Sequence, residues 1–158
     1  MKRVLAAIDR LSRLGCYAAG ACVAGATILV LAEIVARKVF GTSLAFAWEF
    51  AAYLCAAAFL LGAGYALATD AHVRVQLVLD ALPPRGARML DIAASAGVVL
   101  IAGYLAWATG RLAWVSFVDG TRSFLPSNVL LYPFQAAFAL GALLLVLQAL
   151  ARLVRLTR

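Results

Sequence analysis

The chain has 158 residues, of which 66% are hydrophobic and 13% are charged, and its mean hydropathy is +0.99. Soluble domains carry about 25% charged residues, so this composition excludes an ordinary soluble domain and indicates an integral membrane protein. The formal net charge is +7, but the basic residues lie at the ends of apolar stretches and form no run with interleaved aromatic residues. This placement is typical of membrane orientation and argues against nucleic-acid binding.

The chain begins with a segment of mixed polarity, residues 1–14. Its apolar residues recur at helical spacing on one face and its basic residues occupy the other, which predicts an N-terminal amphipathic helix in the membrane interface. Residues 14–32 then form a run of 19 residues without a charge. That length predicts the first membrane span.

A second span is predicted at residues 50–69, which hold 20 residues without a charge. The link between the first two spans is so short that they are predicted to be antiparallel neighbours. Residues 70–82 follow and carry both His72, the only histidine, and Arg74. We expect this segment to form a short interfacial helix, because irregular backbone at a lipid surface leaves amide groups unpaired. Its alternating apolar residues also allow an extended segment.

Residues 92–110 give 19 uncharged residues for a third span, which is predicted to continue past Arg111 and to tilt or project into water. Residues 119–123 form a clear turn signal, and a fourth span is predicted at residues 129–151. The sequence therefore predicts one all-α integral membrane domain over residues 1–158. It has four transmembrane helices, an N-terminal amphipathic helix and one interfacial helix between spans two and three.

Lysine and arginine are distributed unequally between the two sides of this arrangement. Ten of them lie with the two termini and with the connection between spans two and three. The four on the other side are Arg37, Lys38, Arg111 and Arg122. The positive-inside rule then places both termini and the central connection in the cytoplasm.

Glu33 and Glu49 are the only glutamates, and each lies near the end of a span. A carboxylate inside a membrane is a candidate functional group because its charge is costly there. Glu33 precedes Arg37 by four residues, which favours a helical ion pair, and Glu49 follows Trp48 at a predicted helix N-terminus, where the dipole favours an anion. A structural or partner-contact role is therefore favoured over a proton or ion carrier. We expect Glu33, Arg37 and Glu49 to form one charge-compensated cluster at the outer end of the first hairpin.

His72 could act as a proton relay or a pH sensor, although a lone histidine at a membrane boundary more often caps a helix or contacts a headgroup. Arg74 is predicted to meet a phosphate or a partner carboxylate. The three cysteines have no CxxC spacing, and a single histidine supplies no metal or haem site, so no metal or cofactor is expected. No enzymatic motif occurs, and the spans carry too few polar residues to line a path for a hydrophilic solute.

A set of residues, most of them at the ends of the predicted spans or between spans, resembles those of a known family. They are Glu33, Arg37, Phe40, Gly41, Trp48, Glu49, Gly62, His72, Val73, Arg74 and Val75. In this order and spacing they resemble the small, DctQ-like membrane subunit of tripartite ATP-independent periplasmic (TRAP) transporters. The resemblance extends over essentially the whole chain. Family members usually have an acidic residue at the position that Gln76 occupies here.

The resemblance implies a partner set and a location. A large membrane subunit would hold the substrate and sodium sites, and a periplasmic solute-binding protein would deliver an organic acid. The small subunit would support the large one and help dock the binding protein, in the bacterial inner membrane and among its lipids. It would not be an enzyme. The residues expected to serve structure or partner contact are Glu33, Arg37, Trp48, Glu49, His72 and Arg74.

Two other classes stay open from the residues alone. A self-sufficient homo-oligomeric carrier could use Glu33 as its coupling carboxylate, but it would need the acid near the middle of a span and an aromatic-lined pocket. The membrane anchor of a redox enzyme usually has histidine haem ligands within its spans, whereas the one histidine here is interfacial.

Overall fold

The computed structural model describes residues 2–69, 83–125 and 127–156. Four α-helices dominate these ranges: α1 (Lys2–Val39), α2 (Ala45–Ala68), α3 (Pro84–Val118) and α4 (Tyr132–Leu156). All four are long and apolar enough to cross a membrane. Within the same ranges the only β pairing is a single bridge between Arg122 and Leu130. The prediction of an all-α protein with four spans is confirmed.

Helix α1 is continuous, so the amphipathic segment predicted at residues 1–14 is the first part of the first membrane helix and not a separate element. Its buried positions include Ser12, Gly15, Ala19, Ala26 and Glu33, which lie three, four or seven residues apart. That spacing keeps them on one face of an α-helix, and the face begins inside the amphipathic segment. The interfacial helix predicted at residues 70–82 lies outside the described residues.

Helix α4 is central to the packing, because it contacts α1, α2 and α3. Helices α1 and α2 pack against each other as the predicted hairpin. Among the described helices, α3 contacts α4 alone. Helices α2 and α3, which follow one another among the described helices, are therefore not neighbours in space.

The backbones of neighbouring helices pack closely at two glycines. A Cβ atom at Gly141 would lie 2.6 Å from the carbonyl carbon of Leu60, and one at Gly15 would lie 2.8 Å from the carbonyl oxygen of Leu61. Neither position has room for a side chain. Close backbone packing of this kind is a main source of attraction between helices in lipid, where the hydrophobic effect does not drive helices together.

Glycines in the left-handed region also end two of the helices. Gly41 follows α1 with φ of 65°, and Gly120 follows α3 with φ of 60°. Beyond Gly120, the Thr121 N–H donates a hydrogen bond of 3.0 Å to the carbonyl of Ser116, which closes a Schellman motif. The turn predicted at residues 119–123 is confirmed.

Candidate functional site

The polar groups of the bundle gather at its two ends. We name the end where α1 turns into α2 the hairpin end, and the end that holds the start of α1 and the close of α4 the terminal end. At the hairpin end, the Glu33 side chain is 1% exposed. Its Oε1 accepts hydrogen bonds from Arg37 Nη2 at 2.6 Å and Ser43 Oγ at 2.8 Å, and its Oε2 accepts one from the Leu44 N–H. Both carboxylate oxygens thus accept hydrogen bonds from groups of α1 or of the α1–α2 link.

Glu49 is also buried at the hairpin end, but it has other partners. Its Oε1 accepts a hydrogen bond of 2.9 Å from the Tyr53 hydroxyl, and its Oε2 accepts one from Ser127 Oγ. The Tyr53 ring stacks on Phe134 of α4 with 4.6 Å between centroids. Because Ser127 belongs to the link between α3 and α4, Glu49 fastens that link to α2.

The two carboxylates therefore belong to separate sets of groups. The predicted ion pair between Glu33 and Arg37 is confirmed. The prediction of a single cluster is wrong, since no hydrogen bond or ion pair joins Glu49 to either residue in the described part of the chain. The physical reason is that hydroxyl groups from Tyr53 and Ser127 satisfy the Glu49 carboxylate without a cation.

The remaining predicted site residues have different surroundings. Trp48 is 58% exposed near the start of α2, which is the exposure expected of a side chain that meets lipid or a partner. His72 and Arg74 lie outside the described residues, so their roles stay predictions. No three His, Cys, Asp or Glu side chains in the described ranges come together to hold a metal ion.

At the terminal end, a buried glutamine joins α4 to α1. Gln148 is 1% exposed, its Nε2 donates to Asp9 Oδ1 at 3.0 Å, and its Oε1 accepts from Ser12 Oγ at 3.2 Å. Arg155 Nη2 donates to both carboxylate oxygens of Asp9, at 2.8 and 2.9 Å. The last turns of α4 therefore hold the first turns of α1.

Helix α3 is attached to α4 at the same end by a second ion pair. Arg152 Nη2 lies 3.0 Å from Asp91 Oδ1, and Arg88 Nη2 donates to the Leu156 carbonyl at 3.0 Å. Asp9 and Asp91 are not among the site residues predicted from the sequence. A sequence signal for these ion pairs did exist. Each of α1 and α3 has an aspartate near its start, and α4, which runs antiparallel to both, has arginines near its end.

The space between these two ends is apolar. The buried polar or charged side chains of the described residues lie toward one end or the other, and none lies at the middle of a helix. The buried residues there are mostly alanine and glycine, such as Ala26, Ala58, Ala102 and Ala142. Two cavities of about 280 and 290 Å³ near Asp91 open at the terminal end and do not cross the bundle. The arrangement can fasten helices together, but it offers no polar route through them.

The comparisons with known proteins place this chain in a family. A family profile described as tripartite ATP-independent periplasmic transporters, DctQ component, matches residues 26–158. Comparison with curated proteins gave no match, and comparison with solved structures gave none. The matched range holds the last 14 residues of α1 and all of α2, α3 and α4. The chain belongs to the DctQ family, the small permease component of TRAP transporters.

Proposed function

We propose that the protein is the accessory small permease subunit of a sodium-coupled, binding-protein-dependent transporter for organic acids. It packs on and supports a large membrane subunit, and it helps dock a periplasmic solute-binding protein. Membership of the DctQ family supports the assignment to a transporter. The observation that carries the accessory role is the confinement of buried polar groups to the two ends of the bundle.

The physical argument concerns hydration. An organic acid that crosses the membrane loses its water shell, and each unmatched polar group then costs several kcal/mol in an apolar medium. Midway along the described helices the buried side chains are alanines, which supply neither a cation nor a coordinating oxygen. The groups that bind substrate and sodium therefore belong to another subunit.

The alternative is a self-sufficient carrier that uses Glu33 as its coupling carboxylate. A coupling carboxylate has to exchange a proton or ion with both sides of the membrane. Glu33 lies within two turns of the end of α1, and both of its oxygens accept hydrogen bonds from Arg37, Ser43 and Leu44. These bonds favour a structural role for Glu33.

The location follows from the same proposal. We place the protein in the bacterial inner membrane, with the terminal end in the cytoplasm and the hairpin end in the periplasm. The first turns of α1 and residues 70–82 would then lie at the cytoplasmic headgroups, where their arginines meet anionic lipid.

Reconstitution tests the proposed function. We expect the purified chain in liposomes to take up no organic acid when a sodium gradient and a panel of organic acids are supplied. Uptake should appear when the large membrane subunit and the binding protein are added. The large subunit with the binding protein alone is the control for the contribution of the small one. Uptake by the lone chain would contradict the accessory role and favour the carrier.

A further inference from the structure

The link between α3 and α4 exposes two apolar side chains at its tip. Phe124 is 103% exposed and Leu125 is 53% exposed, although neither belongs to a helix. The most exposed large apolar side chain on a described helix is Phe59, at 76%. Contact with lipid accounts for exposed side chains on the helices, but irregular backbone does not occur against the hydrocarbon. Phe124 and Leu125 therefore lie outside the hydrocarbon, where an exposed apolar patch is typical of a contact site.

The tip is carried by an ordered link. Arg122 pairs with Leu130 in a β bridge, and the Ser123 N–H donates a hydrogen bond of 2.8 Å to the Val129 carbonyl. Arg122 Nη1 also donates to the Asn128 carbonyl at 3.1 Å. An apolar side chain on a link that is already ordered loses little conformational entropy when a partner binds it.

The contacts of the link show which way the tip faces. The buried Glu49 side chain of α2 accepts a hydrogen bond from Ser127 Oγ, on one side of the tip. Ser123, on the other side, is 8% exposed. The link therefore crosses the end of the bundle from α3 to α2 before it returns to α4. Because Phe124 and Leu125 are exposed between these two inward-facing serines, they lie on the outer side of the link, away from the bundle interior.

The exposed charges of the hairpin end are mostly positive. Glu33 and Glu49 are buried there. The exposed charged residues at this end are Arg37, Lys38, Arg111, Arg122 and Asp119. Arg122 belongs to the same link as Phe124, and no ion pair joins it to an acid within the described ranges. An apolar tip with basic surroundings is complementary to a protein surface that has an apolar pocket and acidic residues around it.

We propose that the tip of the α3–α4 link, Phe124 and Leu125 with Arg122 beside them, is a docking contact for a soluble protein that offers an apolar pocket with an acidic rim. The proposal rests on the proposed function, in which the binding protein is the soluble partner at the hairpin end, and it names the element of this chain that the partner contacts. Lipid is a poorer match, since the link crosses the bundle end and its tip faces away from the bundle interior.

Matched phenylalanine variants test the contact in the assembled membrane complex. Phe124→Ala removes the ring from the tip, and Phe59→Ala removes an exposed ring from the middle of α2, which a soluble protein cannot reach. We expect Phe124→Ala to raise the dissociation constant of the binding protein for the complex by about tenfold, as the loss of a buried aromatic contact does. Phe59→Ala should leave this constant unchanged, and both variants should co-purify the large subunit as the natural chain does.

Two results would overturn the assignment. One is an unchanged dissociation constant with Phe124→Ala. The other is a loss of large subunit from the Phe124→Ala complex, which would make that subunit the occupant of the tip.

The natural chain separates a failure of this contact from a failure of the proposed function. If the binding protein does not bind the natural complex, the docking role in the proposed function fails, and this contact fails with it. If the binding protein binds the natural and Phe124→Ala complexes equally, the docking role stands and only this contact fails.

Photo-crosslinking identifies the occupant directly. A photoreactive amino acid at position 124 should crosslink to the binding protein when that protein is added to the complex. The same group at position 59 should give no crosslink to the binding protein. Crosslinks from position 124 to lipid alone, to the large subunit alone or to a second copy of this chain alone would contradict the proposal.

Discussion

At the scale of single residues, each buried carboxylate of the hairpin end holds a connecting segment in place. Glu33 binds the α1–α2 link through Ser43 and the Leu44 N–H, and Glu49 binds the α3–α4 link through Ser127. A carboxylate oxygen accepts several hydrogen bonds, so one side chain can satisfy both a side chain and the backbone. Loss of the carboxylate leaves these donors unpaired in a partly desolvated place, which is more damaging than loss of an exposed contact.

Glu33→Gln tests this role. The amide keeps the shape of the side chain but presents an N–H donor where Arg37, Ser43 and Leu44 supply donors of their own. We expect a several-fold lower yield of folded protein and of complex, with the sodium dependence of transport unchanged in the complex that does assemble. Purification measures the yield of protein and of complex, and uptake at a series of sodium concentrations measures the sodium dependence.

Asp119→Asn is the matched control for Glu33→Gln, since Asp119 is an exposed carboxylate at the same end. Its yield should equal that of the natural chain. A normal yield of Glu33→Gln, together with a shifted sodium or proton dependence, would contradict the structural role and support the carrier.

The sequence predicted part of this site because part of it is local. The Glu33–Arg37 pair follows from a spacing of four residues on one helix. Glu49 and Ser127 are 78 residues apart, and no pattern in the chain connects them. Asp9 and Arg155 lie near facing ends of antiparallel helices, but their contact still depends on which helices are neighbours. Contacts that depend on the packing of helices could not be derived from spacing.

At the scale of helices, the sequence predicted the four spans and the continuation of α3 past Arg111, but the apolar runs alone did not give the other helix ends. Helices α1 and α3 extend past the apolar runs toward the left-handed glycines Gly41 and Gly120, because the residues after each run, 33–40 and 111–119, include no glycine and no proline. The hairpin of α1 and α2 was predictable from its short link. The absence of contact between α2 and α3 was not, since neighbours in sequence are not always neighbours in space.

Gly141→Ala tests the close packing of α2 on α4. The added Cβ atom would lie 2.6 Å from the Leu60 carbonyl carbon, a backbone atom that can move only if the helices separate. We expect the free energy of unfolding to fall by about 1–3 kcal/mol, the usual cost of overpacking. Thermal unfolding in a mild detergent measures it.

Gly103→Ala is the control for this experiment, because a Cβ atom there has nothing within 4 Å. Its stability should stay the same or rise by up to about 1 kcal/mol, since alanine favours helix over glycine. Equal stability of Gly141→Ala and the natural chain would show that the two backbones are not in close contact.

At the scale of the whole molecule, the two ends differ in basic residues. The terminal end holds Arg88, Arg152 and Arg155 together with the arginines near the start of α1, whereas the hairpin end holds Arg37, Lys38, Arg111 and Arg122. The described helices thus keep the unequal distribution that the sequence predicted. Orientation in the membrane stays a prediction from this asymmetry.

Thiol labelling from each side of sealed vesicles tests the orientation. The three natural cysteines are first replaced, and one cysteine is introduced at Arg3 or at Thr42, both of which are exposed. We expect an impermeant reagent to label Thr42→Cys in right-side-out vesicles and Arg3→Cys only in inside-out vesicles. The reverse pattern would contradict a cytoplasmic terminal end. Labelling of both cysteines from the same side would contradict a single membrane crossing between positions 3 and 42.

The contact map also has a consequence for the order of synthesis. When α1 and α2 have left the ribosome, they can pair at once, because each contacts the other. Helix α3 comes next and has no described helix to pack against until α4 follows it. The nascent chain therefore passes through a stage with one finished hairpin and one lone helix in the lipid. Helix α4, translated last of the four, brings the two together by contacting all three earlier helices.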